Sequence, residues 1–89
     1  MQNKKELAKD TRNFKEIFDS LTGRERVELC RRLIVKRCCG DKVTFYSWAK
    51  GRIPQRRVRS TIAKIVGNFI GAESSEETLF PTAYDSNRT

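Results

Sequence analysis

The chain has 89 residues, which is enough for one domain with one modest hydrophobic core. It carries 19 Lys and Arg against 11 Asp and Glu, a net charge of +8, and it contains no histidine. No apolar stretch approaches the roughly 18 residues that cross a bilayer, so the composition argues against a membrane protein. Without a histidine, a Gly-rich phosphate loop or a carboxylate pair in an apolar setting, we expect no enzyme, no cofactor and no metal site.

The first two predicted helices follow a polar N-terminus. Residues 1–9 are polar and charged, and they predict a flexible segment. With Asp10 or Thr11 as the cap, apolar residues spaced three and four apart predict a first helix that ends near residue 20. The sequence Thr22-Gly23-Arg24-Glu25 matches a capping box and opens a second helix. The predicted apolar face of this second helix contains Val27, Leu29, Cys30, Leu33, Ile34 and Cys38.

A short third helix over residues 41–50 is the most informative element of the sequence. Gly40 separates it from the second helix, and Asp41 can accept hydrogen bonds from the free N–H groups of its first turn. Gly51 can adopt the left-handed conformation that ends a helix, and Pro54 prevents its continuation. Residues spaced three and four apart share one helical face, which predicts a buried side. That side contains Phe45, Trp48 and Ala49.

A fourth helix completes the predicted fold. Pro54 opens it at a position where the missing N–H costs nothing, and Gly71 ends it. The three-residue step from Cys38 to Asp41 has the length expected between the helices of a helix-turn-helix. We therefore predict an all-α fold, a compact bundle of about four helices that contains a helix-turn-helix within residues 10–71. The predicted apolar side of the fourth helix contains Val58, Ile62, Ile65, Val66 and Phe69.

Positive charge is concentrated in the helical part of the sequence. Residues 1–71 contain 18 Lys and Arg against 7 Asp and Glu, which gives +11, whereas residues 72–89 contain one Arg against four acids, which gives −3. Between Arg31 and Lys64 there are eleven basic residues, and Asp41 is the only acid. Like charges at this density repel each other, and a polyanion would relieve the repulsion and release its counterions. This distribution predicts a nucleic acid as the partner.

From Ala72 onward the sequence becomes rich in Glu, Ser, Thr and Asn, which predicts an acidic, disordered tail over residues 72–89. The sequence Leu79-Phe80-Pro81 in this tail has three interpretations. It belongs to a solvated C-terminus, or it docks a protein partner, or the tail folds back over the basic surface and competes with the nucleic acid.

The three cysteines favour a reducing compartment. Cys30 and Cys38 on one helix are separated by about 12 Å at 1.5 Å per residue, beyond the 7 Å limit for a disulfide. Cys38 and Cys39 are adjacent, and the spacings match no structural zinc pattern. We therefore expect small buried hydrophobic side chains. The N-terminus also lacks the apolar region of a secretory signal, which predicts a cytoplasmic protein. With a nucleic acid as the predicted partner, we expect it to be associated with the nucleoid.

The order of these features resembles a known family. A capped third helix with Trp48 and Gly51 in the pattern Trp-x-x-Gly is followed by Pro54 and by the sequence Ile62-Ala63-Lys64-Ile65. From Phe14 to Gly71 the chain resembles the helix-turn-helix domains of the Cro/repressor (lambda-repressor-like) superfamily, in the short form found as stand-alone bacterial proteins. It departs from the family at the turn, where Cys39-Gly40 replaces a small residue followed by an aliphatic one.

The resemblance implies sequence-specific binding of double-stranded DNA by a small transcriptional regulator. The third helix would enter the major groove, while basic residues around it would hold the phosphates. The residues implied to contact bases are Lys42, Val43, Thr44, Tyr46, Ser47 and Lys50. The candidates for phosphate contacts are Arg31, Arg32, Lys36, Arg37, Arg52, Arg56, Arg57 and Arg59.

Two alternatives to DNA binding remain open on sequence grounds. A protein-interaction or antitoxin-like accessory module would use the basic face and the C-terminal tail. Structured RNA also suits arginine-rich helices. A single domain binds one half-site, so a homodimer is expected, with the first helix or the end of the fourth helix near Phe69-Ile70 as its interface.

Overall fold

Four helices of seven or more residues and a short C-terminal element build the part of the chain that the structure describes. The computed structural model describes residues 9–84. Its helices are α1 (Phe14–Ser20), α2 (Gly23–Val35), α3 (Lys42–Ala49), α4 (Arg56–Ile70) and α5 (Glu76–Leu79), followed by a 3-10 turn at Pro81–Tyr84. The predicted all-α fold is confirmed, since the described residues form no strand beyond one bridge between Lys9 and Glu73. Within this part of the chain, no helix has the length and apolar character of a membrane span.

Reciprocal capping boxes open α1 and α2. Asn13 accepts from the N–H of Glu16, whose carboxylate accepts from the N–H of Asn13 in return. The prediction of Asp10 or Thr11 as the cap of the first helix is wrong, because Asp10 instead accepts from the guanidinium of Arg12 at 2.7 Å. The capping box predicted at Thr22 and Glu25 is confirmed.

The end of α2 differs from the prediction. The helix ends at Val35, not near Gly40, because Arg37 adopts a left-handed conformation with φ of 62°. The N–H of Cys38 donates to the carbonyl of Leu33, and the N–H of Arg37 donates to the carbonyl of Ile34. This pair of bonds is a Schellman motif, usually completed by glycine. Residues 36–41, rather than three residues, therefore connect α2 to α3.

Both ends of α3 match the prediction. The Asp41 carboxylate accepts from the N–H of Thr44 at 3.0 Å, and Gly51 has a φ of 109°. The predicted place of Pro54 inside the fourth helix is wrong, because Gln55 is the N-cap and α4 begins at Arg56. Pro54 is buried in the preceding loop. The predicted end of α4 is confirmed, with Gly71 at a φ of 74°.

An aromatic cluster forms the centre of the core. The ring of Phe14 lies 5.7 Å from that of Phe45, 5.9 Å from that of Trp48 and 5.6 Å from that of Phe80. The face predicted to be buried on α3 is confirmed, because Phe45, Trp48 and Ala49 are all buried. α1 packs on α3, α2 packs on α4, and α5 packs on both α1 and α4.

Residues 72–84, here called the C-terminal segment, are folded, so the prediction of a disordered tail is wrong for them. Leu79 is 2% exposed and Phe80 is 4% exposed, and the Phe80 ring stacks on Phe14. A docking motif at Leu79-Phe80-Pro81 is therefore contradicted, since both apolar side chains already lie in the core. The predictions for residues 1–8 and 85–89 fall outside the described residues.

Gly67 allows the C-terminal segment to approach α4 closely. A Cβ atom at this position would lie 2.7 Å from the carbonyl oxygen of Ala72. The N–H of Asp10 also donates to the carbonyl of Glu73 at 2.9 Å, which ties the start of the described chain to the same segment.

The three cysteines are free and buried, as predicted. Burial raises the pKa of Cys30 and Cys38, and it raises the pKa of Cys39 to about 11, with the neighbouring thiols contributing. All three thiols therefore remain protonated at neutral pH, and they act as small hydrophobic side chains.

Candidate nucleic-acid interface

α3 separates an apolar anchoring face from an exposed polar face. Its buried side chains hold the helix against the aromatic cluster. Val43, Ser47 and Lys50 follow one another on the opposite side at spacings of four and three residues, with Val43 and Lys50 exposed and Ser47 half-buried. Val43 is 71% exposed, although it is apolar. Because an eight-residue helix is not stable alone, the buried face fixes the position of the exposed one.

The other predicted base contacts lie on the flanks of this exposed face. Thr44 and Tyr46 are half-buried, and Lys42 is exposed. The Tyr46 ring packs edge-on against Phe18, with ring centroids 5.2 Å apart, so its apolar part belongs to the protein. The Ser47 hydroxyl donates to the carbonyl of Thr44 at 2.6 Å, which leaves its oxygen as an acceptor.

A groove of about 720 Å³ runs beside α3 and collects three of the predicted phosphate contacts. Arg37 enters it from the turn after α2, Arg52 from the loop after α3, and Arg57 from the first turn of α4. Thr44 and Trp48 contribute from α3 itself. The three arginines come from three different parts of the fold, and the helix connections bring them to one side of α3.

A second groove, of about 410 Å³, holds three other predicted phosphate contacts. It lies between α2 and α4 and contains Arg31, Arg32 and Lys36. Arg31 and Arg32 form ion pairs with Glu28 at 3.8 and 3.4 Å, and the guanidinium of Arg32 lies 5.2 Å from the centre of the Phe69 ring. Six of the eight predicted phosphate contacts therefore lie in two grooves, of which one borders the exposed face of α3.

The remaining two predicted phosphate contacts have different surroundings. Arg56 is exposed at the first position of α4. Arg59 is half-buried, and its Nε donates to the carbonyl of Pro54 at 2.9 Å. This bond connects α4 to the loop that carries Arg52. Arg59 therefore holds that loop in place beside the groove.

Most cations around α3 lack an acidic partner. Within residues 9–84, the ion pairs of Lys and Arg involve Arg12, Lys15, Arg31 and Arg32. The predicted contacts that form no ion pair among these described residues are Lys36, Arg37, Lys42, Lys50, Arg52, Arg56 and Arg57. Asp41, the only acid in this part of the sequence, is used by the cap of α3.

The groove also contains residues that were not among the predicted site residues, and two of them lie next to its arginines. Ile53 and Gln55 line it next to Arg52 and Arg57. Gln55 is the N-cap of α4, but its side chain makes no capping hydrogen bond, whereas α1, α2, α3 and α5 all have a side-chain cap. Glutamine is a poor capping residue, so Gln55 after Pro54 is the sequence signal for the uncapped N-terminus of α4.

Comparison of the chain with protein-family models, with curated proteins and with solved structures finds no match. The resemblance to Cro/repressor domains stays a prediction based on the motifs. Among the described residues, no group of three or more Cys, Asp or Glu side chains is arranged to hold a metal ion. What the surface around α3 binds is therefore inferred from its geometry and charge.

Proposed function

We propose that the protein binds double-stranded DNA in a sequence-specific manner, as a small transcriptional regulator that inserts α3 into the major groove. The observation that carries this proposal is the division of α3 into a buried apolar face and an exposed face bordered by cations that form no ion pair within residues 9–84. A major groove about 12 Å wide admits one α-helix, and phosphates lie on both of its edges. In this arrangement, α2, the turn and α3 act as a helix-turn-helix.

The phosphate contacts come from the groove beside α3. Arg37, Arg52 and Arg57 line it without an acidic partner among the described residues. Arg56 adds a cation at the first turn of α4, whose N-cap side chain leaves the helix end uncapped. Phosphates bind favourably at helix N-termini, because free N–H groups and the helix dipole favour an anion. These groups hold the domain on DNA but do not select a sequence.

Base recognition belongs to the exposed side of α3. Lys42 and Lys50 donate to guanine acceptors, and the methyl groups of Val43 contact the thymine methyl. Ser47 keeps an acceptor for a base edge, while Thr44 borders the groove that holds the phosphate-binding arginines. Tyr46 contributes only its polar end, because its ring is packed on Phe18.

The salt dependence of binding tests the proposal. Fluorescence anisotropy compares a random duplex, a single strand and a structured RNA across a series of salt concentrations. With four to six phosphate contacts, log K for the duplex falls against log[salt] with a slope of roughly −4 to −5. Equal affinity for all three polyanions would contradict groove insertion and favour a general electrostatic attraction.

Substitution of the two lysines on α3 tests sequence recognition directly. After selection of a preferred duplex, Lys42→Ala with Lys50→Ala is expected to remove most of the preference over a random duplex and to retain much of the non-specific affinity. Lys64→Ala is the matched control, because Lys64 is exposed on α4 beside the C-terminal segment, away from α3. Intact discrimination in the double variant would show that α3 does not contact the bases.

Two further parts of the proposal concern assembly and location. A homodimer would place two copies of α3 on neighbouring half-sites, with α1 or the end of α4 as its interface. On this proposal the protein associates with the nucleoid in the bacterial cytoplasm. Of the alternatives, an accessory module that docks through the C-terminal segment lacks support, because Leu79 and Phe80 are buried.

A further inference from the structure

An exposed apolar strip on α2 has no role in the proposed binding of DNA. Val27 is 53% exposed and Val35 is 70% exposed, and Ile34 is exposed between them. The sequence pattern predicts Val27 and Ile34 in the core, but the core takes the adjacent face of α2, with Leu29 and Leu33. Most of the large hydrophobic side chains that the described surface exposes therefore lie on this one helix.

The strip forms one wall of a depression of about 250 Å³ between α2 and α3. Val27, Ile34 and Val35 line it from α2, and Tyr46 lines it from α3. Residues at spacings of seven and eight on a helix lie on one face, so the strip extends along two turns of α2. This shape fits the apolar side of another helix, whose anchoring residues repeat at the same spacings.

The rim of the depression is basic. Arg31 and Lys42 stand on either side of it, and Lys36 follows at the end of α2. Glu28 is the nearest acid on α2, and it already pairs with Arg31 and Arg32. If a second copy of the chain bound here with two-fold symmetry, the cations of one copy would face the same cations of the other. Like-charge repulsion opposes such a contact. A phosphate backbone would gain nothing from the valine methyl groups.

We propose that this surface, called here the α2–α3 patch (Val27, Arg31, Ile34, Val35, Lys42 and Tyr46), binds an acidic amphipathic helix of a protein partner. The apolar residues of that helix fill the depression, and its carboxylates pair with the basic rim. The proposal does not rest on DNA binding, since the apolar strip lies on α2. The patch shares Lys42 and Tyr46 with the proposed base contacts, so the peptide and a duplex are expected to compete for the protein.

A defined peptide tests the proposal with the full-length chain. The probe is a labelled helical peptide of about 18 residues, or five turns, with Leu on one face and Glu elsewhere, held helical by a side-chain staple. The control peptide has the same composition, but its Leu residues are distributed around the helix. Fluorescence anisotropy is expected to give binding of the first peptide and much weaker binding of the second.

Two valines provide matched variants, because Val35 is 70% exposed on the patch and Val43 is 71% exposed on α3 outside it. Val35→Ser is expected to weaken the peptide about tenfold and to leave the duplex affinity unchanged, whereas Val43→Ser leaves the peptide affinity unchanged. Arg31→Glu also weakens the peptide. Equal binding of both peptides, no binding, or no effect of Val35→Ser would overturn the proposal. Self-association in sedimentation experiments that Val35→Ser abolishes would overturn it as well, since the occupant would then be a second copy.

Discussion

Two segments of the molecule use the same structural devices to pack on one aromatic cluster. The first contains the turn and α3, residues 36–51, and the second is the C-terminal segment. Each follows a helix end in the left-handed conformation, at Arg37 and at Gly71. Each begins its short helix with a polar side-chain cap, and each places an aromatic ring against Phe14.

The two segments differ in charge and in what they leave exposed. α3 exposes a side with two lysines and borders a groove with three arginines. The C-terminal segment instead has Glu76 and Glu77 in the first turn of α5 and buries its apolar residues. Both segments therefore close the aromatic core, whereas the first segment also forms a surface suited to a polyanion.

The largest expected effect comes from Phe80→Ala, which removes the ring that the C-terminal segment stacks on Phe14. Phe80 is 4% exposed, so the substitution leaves a cavity and is expected to lower the free energy of unfolding by about 3–5 kcal/mol. Urea denaturation followed by Trp48 fluorescence measures the change. Thr82→Ala, on the exposed surface of the same segment, is the control and is expected to change stability by less than about 0.5 kcal/mol. A loss below about 1 kcal/mol for Phe80→Ala would restore the interpretation of a solvated tail.

A smaller effect is expected from Gly67→Ala, where α4 and the C-terminal segment approach each other. The new Cβ would lie 2.7 Å from the carbonyl oxygen of Ala72, so the segment must move away. We expect a net loss of about 1–3 kcal/mol, although alanine favours a helix interior by up to about 1 kcal/mol over glycine. Gly23→Ala is the matched control, because that glycine starts α2 with open space around it. If Gly67→Ala stabilises the protein in chemical denaturation, the segment does not pack closely there.

The sequence predicts the first segment much better than the second, for physical reasons. The cap, the aromatic spacing and the terminating glycine of α3 are all local signals, so its bounds follow from adjacent residues. The C-terminal segment has a polar composition, and its order comes from contacts of Phe80 with rings more than thirty residues earlier in the chain. Local composition contains no information about such contacts.

The sequence predicts the exposed face of α3 at the centre of the candidate site, but it does not predict the grooves around that face. The exposed face of α3 follows from helical periodicity, once its buried face is recognised. The distribution of the predicted phosphate contacts over two grooves does not follow from periodicity. It depends on the early end of α2 at Val35, which the left-handed Arg37 causes, and on the packing of α2 against α4. A left-handed arginine has no sequence signature, since glycine is the usual residue at that position.

Arg37→Gly tests the two left-handed helix ends, of which one has an arginine and the other has Gly71. The variant is expected to change the stability of the protein and its affinity for DNA in opposite directions. A left-handed conformation costs a non-glycine residue roughly 1–2 kcal/mol, so the variant is expected to be stabilised by about 1 kcal/mol. If Arg37 contacts a phosphate, the slope of log K against log[salt] becomes less negative by about one in the same variant. Gly71→Ala is the reciprocal control, and it is expected to destabilise the protein. A destabilised Arg37→Gly variant would show that its side chain holds the turn and does not serve the surface alone.

The smallest expected effect distinguishes the caps of the two short helices by their pH dependence. Hydrogen bonds from the backbone N–H and the hydroxyl of Thr44 lower the pKa of Asp41 below its usual value of 3.8. Because the folded pKa is depressed, the cap stabilises α3 fully above the pKa of the unfolded chain, and this contribution is lost as the pH falls through the folded pKa. Asp41→Asn keeps an amide oxygen for the same N–H but has no charge to titrate.

The melting temperature of the wild type relative to that of Asp41→Asn is therefore expected to fall below about pH 4. Between pH 5 and 8 the difference between the two proteins is expected to stay constant. The cap of α5 is the hydroxyl of Ser75, which does not titrate, so Ser75→Ala is expected to shift the melting temperature equally at every pH. Parallel pH profiles for the wild type and Asp41→Asn would mean that the carboxylate of Asp41 is not held by Thr44. In that case the order of α3 depends on its aromatic face alone, as the order of the C-terminal segment depends on Phe80.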